Sequence, residues 1–581
     1  MGNESELTFA FVFRNIPGCN YEKSIQALRD INIPKGCRVE CVVVEDNGSL
    51  AAAYNMAIKQ SSAKYKIYVN RDIERVDANL LHSLCMYFMQ LDFTVGIIGL
   101  WGSEMPADGD YTKARSMYGR YVYFDGNDRM KIDAAIDPVF FQEVRCLDNS
   151  FIATAVDVEW DERMGDDFAV AAQCLRLEEK GYKAIVAMQC VNMNAYWVAF
   201  SDNHSKKHYK IAAQNSTDFE VERRLFMKYY TRQILPLVSI LIPTYNQPEY
   251  FRQALESALA QDYKNTEIIV GDDSTDERTK NLIKPYLNKY SNIKYYYHGG
   301  PLGKKGINNI HFILSHSNGE YINYLLHDDL IYPDKISKMM DLFLQDLNKE
   351  IGLVASVRDF IDENGKKFDV LSIYNPFHDK CFSSHELGRK TLHFATNFIG
   401  ELTNALIPKE MLYVSEIKDY GVGYFCGVKD ESMCDVSTWL EIGRRGKKTV
   451  FLSDILSAFR SHSMQNTHDP DMQIRGFLDW YMLIVVAWLN NVYLEDEEQC
   501  FHACRWLSTH RQPLVDVKKL DTSRKQIYQK YADICQAALE NNRRLMFHLI
   551  ITYIMEKAVC PADVQRLCEK NTTTGYWQKH N

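Results

Sequence analysis

Several features are scarce in this chain. It has no run of about 18 apolar residues, so no segment is expected to cross a bilayer as a helix. The N-terminus, MGNESELTFAF, has no basic stretch ahead of an apolar core, which argues against a secretory leader. Met1 and Gly2 with Ser5 match an acylation signal poorly, because the serine is one position early. Positive charge is not in excess: the formal net charge is −9 over 581 residues, which disfavours a nucleic-acid partner. The 15 cysteines are odd in number and show no pairing pattern. Cys19, Cys37 and Cys41 are too irregular for a zinc site. Free thiols in a reducing cytosol are therefore expected, and with them a cytoplasmic protein, with a place at the inner face of the membrane left open.

Otherwise the composition is that of a globular protein, with 46% hydrophobic and 25% charged residues. Such a length suits roughly three or four domains. The most informative stretch is LVSILIPTYNQPEYFRQALESALAQDYKNTEIIVGDDSTD, Leu237 to Asp276. Its apolar opening, Leu237 to Ile242, ends at Pro243 and predicts a buried strand. Pro248 falls where a helix would begin, and its missing N–H costs nothing there. Phe251, Ala254, Leu255, Ala258 and Leu259 follow at helical spacing. A second apolar run, from Glu267 to Val270, closes on Gly271, Asp272, Asp273 and Ser274. Strand, helix and strand with acids at the second tip describe a parallel α/β sheet, whose ligands bind beyond the carboxyl ends of the strands.

This stretch resembles the opening of family 2 glycosyltransferases of the GT-A fold, in which PTYN, the helix and the acid pair recur in order. The resemblance implies that Pro243, Tyr245, Asp272 and Asp273 face the base and ribose of a nucleotide-sugar. A carboxylate there accepts the N3–H of uracil or thymine. Downstream, LLHDD (Leu325 to Asp329) stands where the family carries its Asp-x-Asp metal motif. Leu326 replaces the first acid, so the ligand role passes to Asp328, with Asp329 beside the donor. Asp435 stands where the family places its catalytic base, although Cys434 replaces the acid that normally precedes it. His462 matches a late metal or diphosphate contact. The NFIGEL segment, Asn397 to Leu402, resembles the loop lining the acceptor side, where Gly400 lets backbone approach the sugar. Each acid also has a structural reading as a helix cap or strand-end residue.

The chain opens with a second version of the same device. Leu7 to Phe13, a short helix around Ile25, and Val39 to Val44 lead to Glu45 and Asp46. Superposing Asp72 on Asp328 also superposes Tyr65 on Tyr321 and Ser61 on Ser317, an internal repeat of architecture with little identity. The first copy lacks the helix and strand that the second places between its acid motifs, at about 275–298. It resembles the glycosyltransferase-like domain of streptomycin-biosynthesis-type proteins, on the Asn70 to Asp72 tripeptide, LDNSFIAT (Leu147 to Thr154) and WDERMGDDFAVAAQCLRLEEKGYKAIV. By the same logic Glu45 and Asp46 would serve the nucleoside, Asn70, Asp72 and His204 the metal, and Asp167 the base. Arg14 and Asn15 replace the PTYN element. Glu104 to Lys131, polar and rich in Gly and Tyr, predicts a long loop.

The expected fold class is α/β, with two tandem GT-A domains at 1–210 and 237–470. A helical linker at 211–236 joins them, and a helical region at 471–581 follows. The implied cofactor is Mn²⁺ or Mg²⁺, whose hard character suits oxygen ligands. The implied partners are a UDP- or dTDP-sugar and a glycan, glycolipid or glycoprotein acceptor. A peripheral membrane contact and pairing of chains through the C-terminal helices are also open. Two functions compete: a bifunctional, inverting, metal-dependent transferase, or one transferase domain behind a non-catalytic acceptor-binding or scaffolding module. A nucleotidyltransferase ranks last, because PTYNQPEY offers no Gly-rich loop with a Lys or Arg.

Overall fold

The computed structural model describes residues 7–16, 22–45, 48–70, 72–91, 94–106, 108–114, 116–124, 127, 129–136, 138, 140–188, 197–201, 217–346, 348–368, 378–465 and 468–571. The chain divides into two compact units, Met1–Leu235 and Pro236–Asn581.

In the first unit, β1 (Leu7–Asn15), β2 (Cys37–Glu45) and β3 (Tyr65–Val69) are parallel, with β1 in the middle. The sheet continues through β4 (Val95–Gly99), β5 (Phe141–Val144), β6 (Phe151–Thr154) and β7 (Lys183–Ala187) in the order β2-β1-β3-β6-β4-β7-β5. Strand β6 runs antiparallel to both neighbours. The centre of β1 is buried on both faces, which explains its unbroken apolar run FAFVF. Helix α1 (Glu22–Ala27) follows β1, α2 (Leu50–Gln60) leads into β3, and α3 (Ala169–Glu179) leads into β7. Helix α4 (Thr217–Ile234), at the position read as a linker, packs within this unit. Its Phe226 ring lies 5.0 Å from Phe168, and the Tyr230 hydroxyl donates to Asp161 at 2.7 Å.

The segment 104–131 is not a long loop. It contains the strand Met117–Phe124, which pairs with Trp101–Ser103 and Met130–Ala134. Aromatic burial drives the ordering: Tyr121 is 3% exposed and stacks on Trp101 at 4.9 Å.

The second unit repeats the plan. Its strands are β8 (Val238–Thr244), β9 (Thr266–Asp272), β10 (Ile293–Tyr297), β11 (Tyr321–Tyr324), β12 (Leu330–Ile331), β13 (Ile351–Ile361), β14 (Lys380–Phe382), β15 (Ala405–Pro408) and β16 (Lys448–Arg460). The order is β10-β9-β8-β11-β15-β13-β16-β12, with β14 paired to β16. Strands β9, β8 and β11 are parallel, β15 is reversed, and β13 and β16 are parallel, just as in β2-β1-β3-β6-β4-β7. Tyr65 and Tyr321 each open the strand that pairs in parallel with the first strand of its unit, β1 or β8. Helix α5 (Pro248–Leu259) starts on its proline and buries Phe251, Ala254, Leu255 and Ala258. Helix α6 (Arg278–Lys289) and β10 are the insertion expected in this copy, and α7 (Ile307–Ser315) leads into β11. Two more helices, α8 (Ser384–His393) and α9 (Cys434–Arg444), lie after β14 and before β16.

Five helices complete the second unit: Pro470–Leu489, Glu497–His510, Thr522–Leu539, Arg543–Lys557 and Pro561–Asn571. Their core includes Trp480, Tyr481, Ile484, Met546 and Ile554, and is continuous with Leu392 of α8 and Val436 and Leu440 of α9. By length and composition Pro470–Leu489 could span a membrane, but 72% of that window is buried within the protein. It carries Asp479, which is buried and accepts from the Tyr553 hydroxyl at 2.7 Å.

Candidate active site

The tips of β8 and β9 are tied together by their own turns. Asn246 adopts φ 53°, the left-handed region that asparagine tolerates. Its amide donates to Ser274 Oγ at 2.9 Å, and its Oδ1 accepts from the Thr275 amide at 2.9 Å. The two acids after β9 then separate. Asp272 has no exposed surface: its oxygens accept from the Ser274 amide at 2.9 Å and the Tyr295 hydroxyl at 2.6 Å. Asp272 is thus a brace for the turn, which corrects its assignment to the nucleotide. Asp273 is buried too, at 3% exposure, but is not saturated. Its Oδ1 is buried and has no hydrogen-bond partner among the described residues. Burial pushes its carboxyl up, against the pull of the Leu302 amide and His298.

Other polar atoms at these strand tips share that condition. Thr244 Oγ1, Gln247 Oε1, His298 Nε2 and His327 Nε2 are buried without a partner among the described residues. The other ring nitrogen of His327 lies 3.3 Å from the carbonyl of Pro243, and Tyr245 beside it is 45% exposed. Native structures seldom leave such groups unpaired, and several together mark a place built for a polar ligand. Sequence reasoning missed Gln247, His298 and His327; a histidine directly after a strand, as in YYYHGG, was the available signal.

The LLHDD tip is clamped from below. Arg460, fully buried, donates through Nε to the Asp328 carbonyl at 2.8 Å and through a terminal nitrogen to Gln253 Oε1 at 2.7 Å. Asp329 is wholly buried and accepts from Thr403 Oγ1 at 2.7 Å and the Arg460 amide at 3.1 Å. Burial and the adjacent Asp328 push its carboxyl well up. It too is a brace, correcting its assignment to the donor. Asp328 instead faces His462, with Oδ2 and Nε2 3.0 Å apart. Burial pushes the Asp328 carboxyl up, but the His462 contact and nearby His327 outweigh this and hold it below the usual range. No group of three His, Cys, Asp or Glu residues disposed to hold a metal occurs among the described residues.

Asp435 lies in the first turn of α9. Its Oδ2 accepts from Asn397 Nδ2 at 2.8 Å and its Oδ1 from the Val436 amide at 2.8 Å. Burial, helped by Glu401, pushes the carboxyl up to about 6. Asn397 in turn binds Gly400, whose carbonyl accepts from Trp439 Nε1 at 3.0 Å. Gly400 has φ +99°, and a Cβ there would come within 2.3 Å of the Arg358 guanidinium, so the position requires glycine. Arg358 pairs with Glu401 at 3.1 Å, and Thr403 of the same loop holds Asp329. The loop thus links the acid at the tip of β11 to Asp435.

The first unit fills the matching positions differently. Arg14 at the end of β1 pairs with Asp166 at 3.0 Å, whose other oxygen accepts from the Leu50 amide at 2.7 Å. Both oxygens of Glu45 accept from Asn15 Nδ2 at 3.0 Å. Asn70 Oδ1 accepts from the Asp72 amide at 3.0 Å. The Asp167 amide donates to Glu222 of α4 at 3.3 Å. Burial, then Asp166, raises the Asp167 carboxyl, and burial with Asp167 pushes Glu222 up to about 7. Asp46 and His204 lie outside the described residues.

Comparison with known proteins places these sites in context. Residues 10–223 match a family described as glycosyltransferase-like, and residues 239–398 match glycosyl transferase family 2. An uncharacterized glycosyltransferase of Rickettsia typhi is 31% identical over 246 residues, 42% of this chain and 69% of the relative. A GalNAc(5)-diNAcBac-PP-undecaprenol β-1,3-glucosyltransferase of Campylobacter jejuni is 33% identical over 110 residues, 18% of this chain and 34% of that protein. Staphylococcus aureus TarS 1–349 in complex with UDP-GlcNAc has a TM-score of 0.39 at 16% identity, covering 59% of this chain and 93% of that one.

Proposed function

The chain belongs to the glycosyltransferases, as a tandem of two family 2-type domains, and on that premise we propose that its second unit moves a sugar from a nucleoside diphosphate to an acceptor hydroxyl with inversion. One observation carries this reading: the unpartnered Asp273 Oδ1, His298 Nε2 and His327 Nε2 at the tips of parallel strands, a ready set of partners for a nucleotide. Asp273 accepts the N3–H of uracil or thymine, and Pro243 and Tyr245 flank the nucleoside.

Asp328 and His462 would hold a divalent cation. Their facing atoms are 3.0 Å apart, close enough for both to be offered to one ion. Such an ion supplies charge stabilisation to the departing diphosphate. Asp435 takes the acceptor proton. A carboxyl lifted to about 6 stays ionised at neutral pH and is a stronger base than an ordinary aspartate. Asn397 and the Val436 amide fix its direction. The acceptor oxygen bonds to the anomeric carbon as the bond to the diphosphate breaks, in one displacement, and Gly400 keeps the backbone close to that hydroxyl.

For the first unit we favour a binding or scaffolding role over a second transfer. The Arg14–Asp166 pair supports this: it ties the end of β1 to the acid ahead of Asp167, in place of the second unit's unpartnered groups. A bifunctional chain is the competing reading, in which Asp167 is a base and Asp72 a metal ligand. A panel of nucleotide-sugars offered to wild type, Asp435→Asn and Asp167→Asn, with and without Mn²⁺, separates them by product mass. Asp435→Asn is expected to abolish transfer and Asp167→Asn to leave every product in place. Loss of one sugar with Asp167→Asn would establish the bifunctional reading, and full activity of Asp435→Asn would overturn the assignment of the base.

A further inference from the structure

Next to the acceptor-side loop lies a cavity of about 250 Å³. Its walls are Phe382, Leu387, Phe394, Phe398, Ile399 and Phe451, with Lys390 as the charged residue among them. The cavity adjoins the site through one loop: its wall residues Phe398 and Ile399 lie in the chain between Asn397, which holds Asp435, and Gly400. A sugar ring needs hydrogen-bond partners, and these walls offer almost none. Burying hydroxyls there would be unfavourable, whereas burying methylenes would be favourable.

The cavity's rim has the opposite character. Arg389, Lys390 and His393 are exposed on α8, the helix that also supplies Leu387; Lys390 pairs with Glu386 at 2.7 Å, which leaves Arg389 and His393 to give the rim its positive character. Phe394, 41% exposed, stands between this basic face and the apolar walls. An apolar slot with a basic lip suits a chain that carries a negative charge at one end. The volume is below the range of pockets that enclose a whole drug-sized ligand, so it suits one segment of a longer chain.

Resting on the transfer reading above, we propose that the acceptor is amphiphilic: an alkyl or isoprenoid chain seats in this cavity, its phosphate meets the basic face of α8, and the attached glycan presents its hydroxyl to Asp435. The cavity thereby selects acceptors by the part that does not react.

Titration calorimetry on the full chain tests this, with dodecyl phosphate below its micellar concentration as the probe. Dodecanol and inorganic phosphate are the controls carrying one feature each, and UDP with Mn²⁺ reports on the nucleotide site. Wild type is expected to bind dodecyl phosphate at least about tenfold more tightly than either control. Leu387→Trp, which fills the cavity, and Phe394→Asp, which charges its lip, are each expected to weaken that binding at least about tenfold and leave UDP binding unchanged. If Leu387→Trp fails to fold, Phe394→Asp, at the surface, decides. Binding of the probe undiminished in Phe394→Asp would overturn the proposal while the nucleotide site stands. So would sedimentation with phosphatidylglycerol vesicles that Phe394→Asp abolishes, without binding of the monomeric probe, because the patch would then serve a bilayer surface. Loss of UDP binding in wild type would instead strike the transfer reading itself.

Discussion

Asp435 is ionised at a cost to the fold. Its carboxyl sits near 6 where an exposed aspartate would be close to 3.8, so at neutral pH the buried charge destabilises the native state by up to about 3 kcal/mol. The native state binds the proton more readily than the unfolded chain. This cost is therefore fully present above pH 6 and fades as the pH falls from 6 towards 4. Asp435→Asn is expected to raise the melting temperature at pH 7.5, to raise it less at pH 5, and to lower turnover by about 10² or more. Wild-type turnover should fall on the acid side of about pH 6 for the same reason; scanning calorimetry and a pH–rate profile check both. His462 is the other decisive residue. His462→Ala removes the nitrogen facing Asp328 and lets that carboxyl rise. The Mn²⁺ concentration for half-maximal transfer should increase by roughly tenfold or more, while UDP affinity without metal stays the same.

At the scale of the element, the 397–403 loop governs alignment. Gly400→Ala sets a side chain against Arg358 at a backbone angle that suits glycine, a strain of about 1–3 kcal/mol. Asn397 then loses its purchase on Asp435. The expected result is a lower kcat with UDP affinity unaltered, read from steady-state kinetics beside a nucleotide titration. How much of this was legible beforehand varied by element. The β8–α5–β9 unit could be read because an apolar run, a proline and a helical stripe each report on local structure. The choice within each acid pair could not. Parallel strands are covered on both faces, so the alternation that would point one side chain inward is missing. Asp272 and Asp329 are saturated by partners inside the fold, whereas Asp273, also buried, keeps an unpartnered oxygen and Asp328 faces His462, for reasons that lie in remote partners: Tyr295, Thr403 and Arg460. The strand at 117–124 was hidden likewise, because its pairing and its stacking on Trp101 are set by the fold rather than by its neighbours in sequence.

At the scale of the molecule, the C-terminal helices share an apolar core with helices α8 and α9 of the transferase domain, since Leu392 of α8 and Leu440 and Val436 of α9 belong to it. Leu478 is fully buried in that core, and Leu478→Ala should cost about 2–5 kcal/mol. Calorimetry should show the whole of the second unit, helices included, melting earlier in a single transition. A separate early melting of the helices alone would show them to be an independent domain.

The matched strand order of the two sheets has a practical consequence. The chain contains its own comparator: two copies of one scaffold, made in equal amounts and exposed to identical conditions, that differ at equivalent spots. Exchanging Arg14 for the proline at the matching position of the other copy, or Pro243 for an arginine, amounts to a controlled trial run inside a single molecule, in which the untouched half supplies the baseline.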